Sequence, residues 1–280
     1  MKPIFRWTIG SNILPNGYIL LKHSIREALR VYGKDKFQWY VCHNVEPENY
    51  LKLLSITENT PVQLYKQTWK EMPFPEEKPK KHKEEDLKKN KEISGSIWKI
   101  CPPRLSLNVH EIVLDNDVII VKKIEEIESF LNSKKTLVGE DCSRFYEKYD
   151  KFIDQNKTYN SGIYGLPPNY DFSKELYNTW NNCGKITNHN YGDEQGLVIC
   201  TLTKHDFLSI KTQNLPVLHK DKYNKKNFED TNDSVEWCEY NDKFWKNTYP
   251  KCKGFHFVGS NRFKNHIAWR KWIELKNSIL

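Results

Sequence analysis

The sequence predicts the α/β class, a sheet of buried strands joined by helices. Two local patterns and the chain length carry that prediction. A helical stripe in "IREALRVYG" is followed after a short turn by the buried-strand run "FQWYVC", the helix-to-strand step from which α/β folds are built. A second β-branched run, "EIVLDNDVIIVKK", carries two aspartates in an otherwise apolar segment. With 280 residues the chain can bury a large core, as one α/β domain or two small ones.

In chain order, "SNILPNG" reads as a surface loop, and it contains neither a GxGxxG nor a Walker A pattern, which disfavours a dinucleotide or P-loop site. Ile25, Ala28, Leu29 and Tyr32 share one helical face, with Gly33 as the C-cap. The strand over 37–42 follows, so that His43 and Asn44 emerge just past its end. "PENYLKLLSIT" predicts a short helix with Pro47 near its start, and "PVQLYK" the next strand. From 73 to 92, "PFPEEKPKKHKEEDLKKNKE" has almost no apolar side chain and cannot join a core. It is a charged insertion, readable as a solvent helix laced by Glu and Lys or as a mobile segment. Acids alternating with its lysines weaken a third reading, a basic nucleic-acid arm.

Organised chain resumes after Gly95. "EIVLDNDVII" predicts a central strand, a brief turn and a second short strand, "IEEIESFLNS" a helix, and "KTLVGED" a strand. "YNSGIYGLPPNYDF" reads as a structured loop with sharp turns, because of its two glycines and Pro-Pro pair. "SKELYNTWNNCG" is a helix ended at Gly184, and "GDEQGLVICTLTK" begins another at Asp193, with a strand over 198–203 as the competing reading. "IAWRKWIELKNSIL" is a closing amphipathic helix.

Composition sets bounds. The chain has 44 basic and 36 acidic side chains, net +8, with 13% aromatics and nine tryptophans, too many for a disordered chain. A basic surface attracts nucleic acid, anionic lipid or phosphorylated small molecules alike. Seven cysteines without close pairs suggest reduced core thiols, neither a disulfide framework nor a zinc ribbon, and Cys252 has no partner at zinc spacing. The opening "MKPIFRWTIG" lacks a continuous apolar run, and no stretch reaches the roughly 18 apolar residues of a membrane span. A soluble, cytoplasmic or otherwise intracellular chain with no membrane span is therefore expected. The sequons at Asn156 and Asn232 are then chance.

An apolar strand that ends in Asp115-Asn116-Asp117 must neutralise two carboxylates whose charges oppose each other's ionisation. A divalent cation does so, and the i,i+2 spacing lets both reach it if Asn116 turns the chain. The alternative is a solvated turn between two strands. Against that stand Val113 and Leu114 before the acids and the apolar run 118–121 after them. A cation held by few protein oxygens is commonly completed by phosphates, hence a nucleotide diphosphate.

"RLSLNVHEIVLDNDVII", "YNSGIYGLP", "GDEQGLV" and "GFHFVGSNRFKNHIAWRKW" together resemble the GT-A type glycosyltransferases with a DxD motif, closest to the glycogenin-like and lipopolysaccharide galactosyltransferase-like group. The likeness covers scattered parts of the chain from Arg104 to Trp272. It implies a Rossmann-like single domain over 1–280 with a central mixed, mostly parallel sheet. Residues 1–125 would be the nucleotide-sugar half, and 126–280 the acceptor half with a C-terminal closing segment. It also implies Mn²⁺ or Mg²⁺ held by Asp115, Asp117 and a late histidine, His256, beneath the diphosphate of a sugar donor, most commonly UDP-linked.

Arg104, or Lys99, would be the basic residue near the donor; Asn160, Ser161 and Gly162 would line the sugar or acceptor pocket. Asp193, with Glu194 and Gln195 beside it, would contact the transferred sugar, as a base if the reaction inverts or as an orienting carboxylate or nucleophile if it retains. The group is mostly retaining. Gly259 would let the backbone approach the phosphates, and His43 and Asn116 would lie on the donor side. The group's Lys-Pro-Trp after that glycine is absent, and Arg262, Lys264 and His266 stand in its place.

Plainer accounts exist for several of these residues. Asp193 could be a helix N-cap, His256 a structural histidine, and His43 a solvated loop residue. Tyr164, Trp98 and Trp245 could stack on a sugar or base but equally pack in the core. The expected partners are a nucleotide diphosphate sugar and a glycan, protein or lipid hydroxyl acceptor, with nucleic acid disfavoured and oligomeric state open. The alternatives in other classes are a metal-dependent nucleotidyl or phosphoryl transferase and a non-catalytic nucleic-acid- or sugar-binding module.

Overall fold

Strand β1 (Ile4–Ile9) lies at the middle of the architecture, buried along its whole length. In the computed structural model residues 1–10, 15–68, 71, 73, 98–184, 191–225, 236–259 and 266–279 are described. Helix α1 (Pro15–Tyr32) follows β1, longer than the sequence stripe predicts: Pro15, Asn16 and Gly17 of the expected loop form its first turn. Pro is pre-organised for a first helical turn, where its missing N–H is not needed. The helix stops at Gly33, which adopts φ 81 and donates its N–H to the Leu29 carbonyl at 2.9 Å, as a left-handed C-cap requires. Next come β2 (Gln38–His43), α2 (Pro47–Thr57) and β3 (Val62–Lys66). His43 is thus the last residue of a strand and not a loop residue beyond it. The charged 73–92 segment, Pro73 apart, lies outside the described residues.

After a 3-10 turn at Trp98–Ile100 the chain enters β4 (Glu111–Asp115), turns through Asn116 and Asp117, and continues as β5 (Val118–Ile120). Helix α3 (Glu125–Phe130) and β6 (Thr136–Glu140) follow as expected. The segment expected to be a turn-rich loop is instead the fully buried strand β7 (Tyr159–Leu166). Its glycines do not bend the chain; they admit neighbours. A Cβ on Gly165 would lie 2.7 Å from the Phe130 ring, so glycine there marks a close approach across a packed sheet. Helices α4 (Phe172–Cys183) and α5 (Tyr191–Leu202) come next, α4 capped by the Asp171 carboxylate, which accepts from the Lys174 N–H. The strand reading of 198–203 is not met. Strands β8 (Phe207–Ile210), β9 (Val217–Leu218), β10 (Lys222–Asn224), β11 (Trp237–Glu239) and β12 (Gly254–Phe257) precede the closing helix α6 (Ile267–Ile279).

The strands form a seven-stranded sheet in the order β3-β2-β1-β4-β7-β6-β8 and a five-stranded sheet in the order β11-β10-β9-β12-β5. In the large sheet only β7 runs antiparallel to its neighbours, so it is mixed and mostly parallel. Alternation divides its side chains between two cores. Phe5, Trp7, Ile112, Leu114 and Ile163 pack with α1 and α2 on one face; Val113, Val138 and Tyr164 pack with α4 and α5 on the other. A third core lies between the small sheet and α6, where Phe255 and Phe257 meet Trp269 and Trp272. All seven cysteines are free, five of them buried. No helix among the described residues is long and apolar enough to cross a membrane.

Candidate metal centre and donor cleft

The Asp115-Asn116-Asp117 turn is held from one side by α1. The Asn116 amide donates to the Gly17 carbonyl at 3.1 Å, and Ser24 Oγ donates to the Val118 carbonyl at 2.5 Å while accepting from the Trp7 indole at 2.7 Å. The small sheet approaches from the other side. β12 runs antiparallel to β5 with His256 opposite Val118, and the Phe257 N–H reaches the Asp117 carbonyl at 3.0 Å. That register brings His256 to the two carboxylates. Its Nε2 lies 3.4 Å from Asp117 Oδ1 and 4.0 Å from Asp115 Oδ2.

Because β7 is antiparallel to β4, with Leu114 opposite Ile163, it starts where β4 ends, and its next residue, Gly162, lies alongside Asp115. A Cβ on Gly162 would stand 2.8 Å from His256 Nδ1 and 2.6 Å from Asn160 Oδ1, so only glycine leaves room for the imidazole. Asn160 is itself fixed, accepting from the Gly162 N–H at 2.5 Å and donating to Asp141 Oδ2 at 2.8 Å. Donor atoms of Asp115, Asp117 and His256 all lie within 4.8 Å of one another. Two carboxylate oxygens and one imidazole nitrogen suit a divalent cation of the Mn²⁺ or Mg²⁺ kind. The glycine-made space for His256 supports that fit, and no other such group of three occurs among the described residues.

Lys99, from the turn before β4, supplies the cluster's fixed positive charge. Its Nζ lies 2.7 Å from Asp115 Oδ2, 3.8 Å from Glu194 Oε2 and 3.5 Å from Ser161 Oγ. Burial opposes the ammonium, but Asp115 and Glu194 outweigh it and raise the Lys99 pKa. Burial, with Asp117 adding to it, raises the Asp115 carboxyl in spite of Lys99. For His256 burial acts downward, and the Asp117 hydrogen bond with the charges of Asp117 and Asp115 reverses it. Burial pushes the Glu194 carboxyl up to about 7, Asp115 adding to the shift and Lys99 opposing it. The Oε1 of Glu194 is buried with no hydrogen-bond partner among the described residues.

Of the three residues at the start of α5, Glu194 is therefore the one whose carboxylate joins the cluster through Lys99. Asp193 is the third residue of α5 and not its N-cap, and its Oδ2 lies 3.9 Å from Lys148. Gln195 bridges two backbones, accepting weakly from the Ser161 N–H at 3.5 Å and donating to the Phe145 carbonyl at 3.2 Å.

A polar cleft lies beside the cluster at the ends of β1 and β2. Register sets Thr8 next to Asp115 on one side and Cys42 on the other, with His43 beside Ile9. Thr8 Oγ1, Tyr18 OH, His43 Nδ1 and Asn44 Oδ1 are buried and have no hydrogen-bond partner among the described residues. Each of these atoms calls for something polar to satisfy it, since it would otherwise cost about 1–3 kcal/mol. Burial and Lys66 lower the His43 pKa, which keeps the imidazole neutral.

Arg104 is an expected site residue whose contacts lie away from the cluster. Arg104 sits where β4 begins and Asp115 ends it; its guanidinium donates to the carbonyls of Val109 at 2.5 Å, Tyr170 at 2.6 Å and Pro167 at 2.7 Å, and also to Ser106. It clamps a loop, and none of its hydrogen bonds reaches the cluster. Asn116 turns its amide to α1. Gly259 has φ 77, a left-handed conformation, just past β12; Arg262 and Lys264 lie outside the described residues. His266 is fully buried and caps α6: its Nδ1 accepts from the Trp269 N–H at 3.3 Å and its Nε2 lies 3.2 Å from the Val258 carbonyl. Tyr164 packs in the core with its hydroxyl on the Lys99 carbonyl at 3.2 Å, and Trp245 stacks on Tyr240. Sequence reading left out Thr8 and Tyr18, which have no motif around them.

No protein-family model matches the sequence, and no curated protein is detectably similar to it. Solved structures do share the fold. An active-site mutant of LgtC superposes with a TM-score of 0.58 at 11% identity, covering 98% of this chain and 95% of that one. The galactosyltransferase LgtC in complex with donor and acceptor sugar analogs gives 0.57 at 11% identity over the same shares. Mouse xyloside xylosyltransferase 1 in its apo form gives 0.50 at 13% identity, covering 94% of this chain and 100% of that one. The bifunctional glycosyltransferase WbbM gives 0.53 at 13% identity over 92% of this chain and 46% of that one. The fold is that of the GT-A glycosyltransferases.

Proposed function

We propose that this chain transfers a sugar from a nucleotide diphosphate sugar, UDP-linked, to a hydroxyl acceptor, assisted by Mn²⁺ or Mg²⁺. The observation that carries the reading is the buried Asp115, Asp117 and His256 group at the end of a central strand, within a fold shared with sugar transferases. Asp115, Asp117 and His256 would hold the cation, which when bound supplies Lewis-acid stabilisation of the charge developing on the departing diphosphate. Thr8, on the strand beside Asp115, and His43, one strand further, offer unsatisfied polar atoms for the nucleoside. Strand spacing makes that roughly 5–10 Å, the reach of a nucleoside from its diphosphate.

Lys99 keeps a positive charge beside Asp115, oriented before the reaction begins, where it can bind a sugar hydroxyl or the leaving oxygen. Glu194 presents the free Oε1 on the same side and, with its carboxyl near neutrality, can accept or donate a hydrogen bond to the transferred sugar. In this reading Glu194 takes the role that the motif gave first to Asp193, and Gln195 sets the spacing between β7 and the Phe145 loop. Asn160, Ser161 and Gly162 would line the sugar side, Gly259 would let the backbone approach the phosphates, and Arg262 or Lys264 would add positive charge to the diphosphate. Residues 1–125 then form the nucleotide-sugar half, and 126–280 the acceptor half together with the C-terminal segment that serves the diphosphate. Retention of configuration follows from the resemblance to the lipopolysaccharide galactosyltransferase-like group.

The test is diphosphate release from a panel of nucleotide sugars with and without Mn²⁺. Release that requires the cation, and that Asp115→Asn and Asp117→Asn abolish while the proteins stay folded, is expected. Undiminished release from both variants at saturating Mn²⁺ would sink the reading, and cleavage between phosphorus atoms would transfer it to the nucleotidyl transferases. The anomer formed, read by NMR of the product, decides retention.

A further inference from the structure

Beyond His256, the small sheet carries a row of polar and aromatic side chains on its site-facing side that the donor chemistry does not use. Its other side is apolar: Phe255, Phe257, Leu218 and Tyr223 belong to the core under α6. Side chains in a strand alternate and register partners share a face, so the opposite set can be read off the ladders. His256 pairs with Val217, which places His219, two residues on, on the His256 side. Tyr223 pairs with Leu218 on the apolar side, which puts Asn224 back on the His256 side, and Asn224 pairs with Trp237.

The fully buried Asn224 verifies the direction. Its amide reaches the Cys142 carbonyl at 3.5 Å, beside Asp141, the residue that holds Asn160. His219 is close enough to Asp141 and His256 to feel both charges, and its Nε2 is buried with no hydrogen-bond partner among the described residues. The indole of Trp237 stands against that imidazole, ring centres 4.7 Å apart at 80°, yet 42% of the residue is exposed.

We propose that His219 and Trp237 form an acceptor subsite for the pyranose ring of a neutral glycan, next to the metal centre. The inference rests on the sugar-transfer reading and names the acceptor class for it. A pyranose has an apolar C–H face and a rim of hydroxyls. An exposed indole offers the first an apolar platform, and the neighbouring imidazole, whose Nε2 has no partner among the described residues, offers the second a hydrogen bond. Lys225 and Glu236, beside Asn224 and Trp237, pair with each other at 3.5 Å, and the side chains whose charges act on His219 include the acids Asp141 and Asp221, which favours a neutral sugar over an anionic one. Burial lowers the His219 pKa, keeping the ring neutral and able to donate or accept.

The experiment labels the nine tryptophans with 5-fluorotryptophan and assigns the Trp237 line in the ¹⁹F spectrum as the one lost in Trp237→Phe. Methyl β-galactoside, methyl β-glucoside, lactose and maltose are then titrated up to about 50 mM, the weak range expected for one stacked sugar ring. At least one should shift the Trp237 line, and His219→Ala should weaken that binding at least about fivefold with the other lines unmoved. A Trp237 line that none of the four moves, or that only a hydroxyl-bearing peptide moves, overturns the subsite. Cation-dependent diphosphate release is measured on the same samples. Its presence with a silent Trp237 line rejects only the subsite, whereas its absence from every donor rejects the underlying reading.

Discussion

Adding one methyl group at Gly162 should cost the protein stability and, on the proposed reading, affinity for Mn²⁺. The new Cβ would sit 2.6 Å from Asn160 Oδ1 and 2.8 Å from His256 Nδ1, where ordinary contacts begin at 3.4 Å. With His256 Cε1 only 2.4 Å away as well, the overlap is roughly 0.6–1.0 Å on two neighbours at once, deep in the repulsive wall. Neither neighbour yields freely, for Asn160 is bound to Asp141 and to the Gly162 N–H, and His256 lies in the middle of β12's ladders. Overpacking of this kind costs about 1–3 kcal/mol. It should also turn the imidazole away from Asp115 and Asp117, weakening Mn²⁺ binding at least about tenfold. Denaturant melts give the first quantity, and the EPR signal of free Mn²⁺ gives the second. His256→Ala removes one of the two obstacles, so Gly162→Ala should cost less than half as much in that background. A Gly162→Ala protein that binds Mn²⁺ within twofold of wild type would refute the reasoning, because His256 would then not depend on the missing Cβ.

Three further outcomes are expected. The Glu194 carboxyl is raised by burial from 4.5 to about 7, so the stability it contributes is full below about pH 4.5 and lost as the pH rises through 7, up to about 3 kcal/mol. Urea melts of Glu194→Gln should therefore lack a fall between pH 5 and 8 that wild type shows, and equal pH slopes would contradict this. Burial takes His266 the other way, from 6.5 down to about 4, so its contribution is present above about pH 6.5 and lost as the pH falls through 4, when protonation of Nδ1 ends its acceptance from the Trp269 N–H. His266→Asn, which keeps a capping acceptor, should flatten that acid limb, and His266→Ala should cost about 1 kcal/mol at pH 7. Arg104→Ala should destabilise by about 2–4 kcal/mol by leaving several carbonyls unpaired, while Mn²⁺ affinity stays unchanged; a large loss of affinity would return Arg104 to the site.

The parts of this site that were legible in the sequence are those written by chemistry that a core does not tolerate. Asp115 and Asp117 interrupt an apolar run, and His256 sits between Phe255 and Phe257; a charge or imidazole in such surroundings must be compensated. Helices with one polar face, such as those ending at Gly33 and Gly184, were equally plain. Strand β7 was not, because its glycines signal close approach and chain reversal with the same letter. Choosing between Asp193 and Glu194 was impossible from periodicity, since α5 is buried on nearly all sides and offers no polar face to orient by. Arg104 and Lys99 are both basic residues ahead of β4, and their difference lies in tertiary geometry alone. Arg104 finds carbonyls at the start of the strand, and Lys99 finds Asp115 at its end.

Why the site forms at this place follows from strand order. Beginning at β1, the chain adds β2 and β3 on one side and then β4 on the other, so the crossovers leave a crevice at the C-terminal ends of β1 and β4, where α/β sheets bind ligands. Parallel strands alone would fill that edge with only the residues that finish them, Thr8, His43 and Asp115. The antiparallel insertion of β7 brings residues that begin a strand to the same edge, which is how Asn160, Ser161 and Gly162 arrive beside Asp115. A strand pair outside the large sheet adds His256, because β5 leaves the β4 line immediately after Asp117 and takes β12 as its partner. The Asn116 turn is thus a junction between two sheets, and the hydrogen bonds from Asn116 to Gly17 and from Ser24 to Val118 hold it against α1. A cation binding at Asp115, Asp117 and His256 would cross-link the two sheets at that junction, so on the proposed reading the three side chains that hold the cation would also set how rigidly the small sheet, with His219 and Trp237 on it, is joined to the large one.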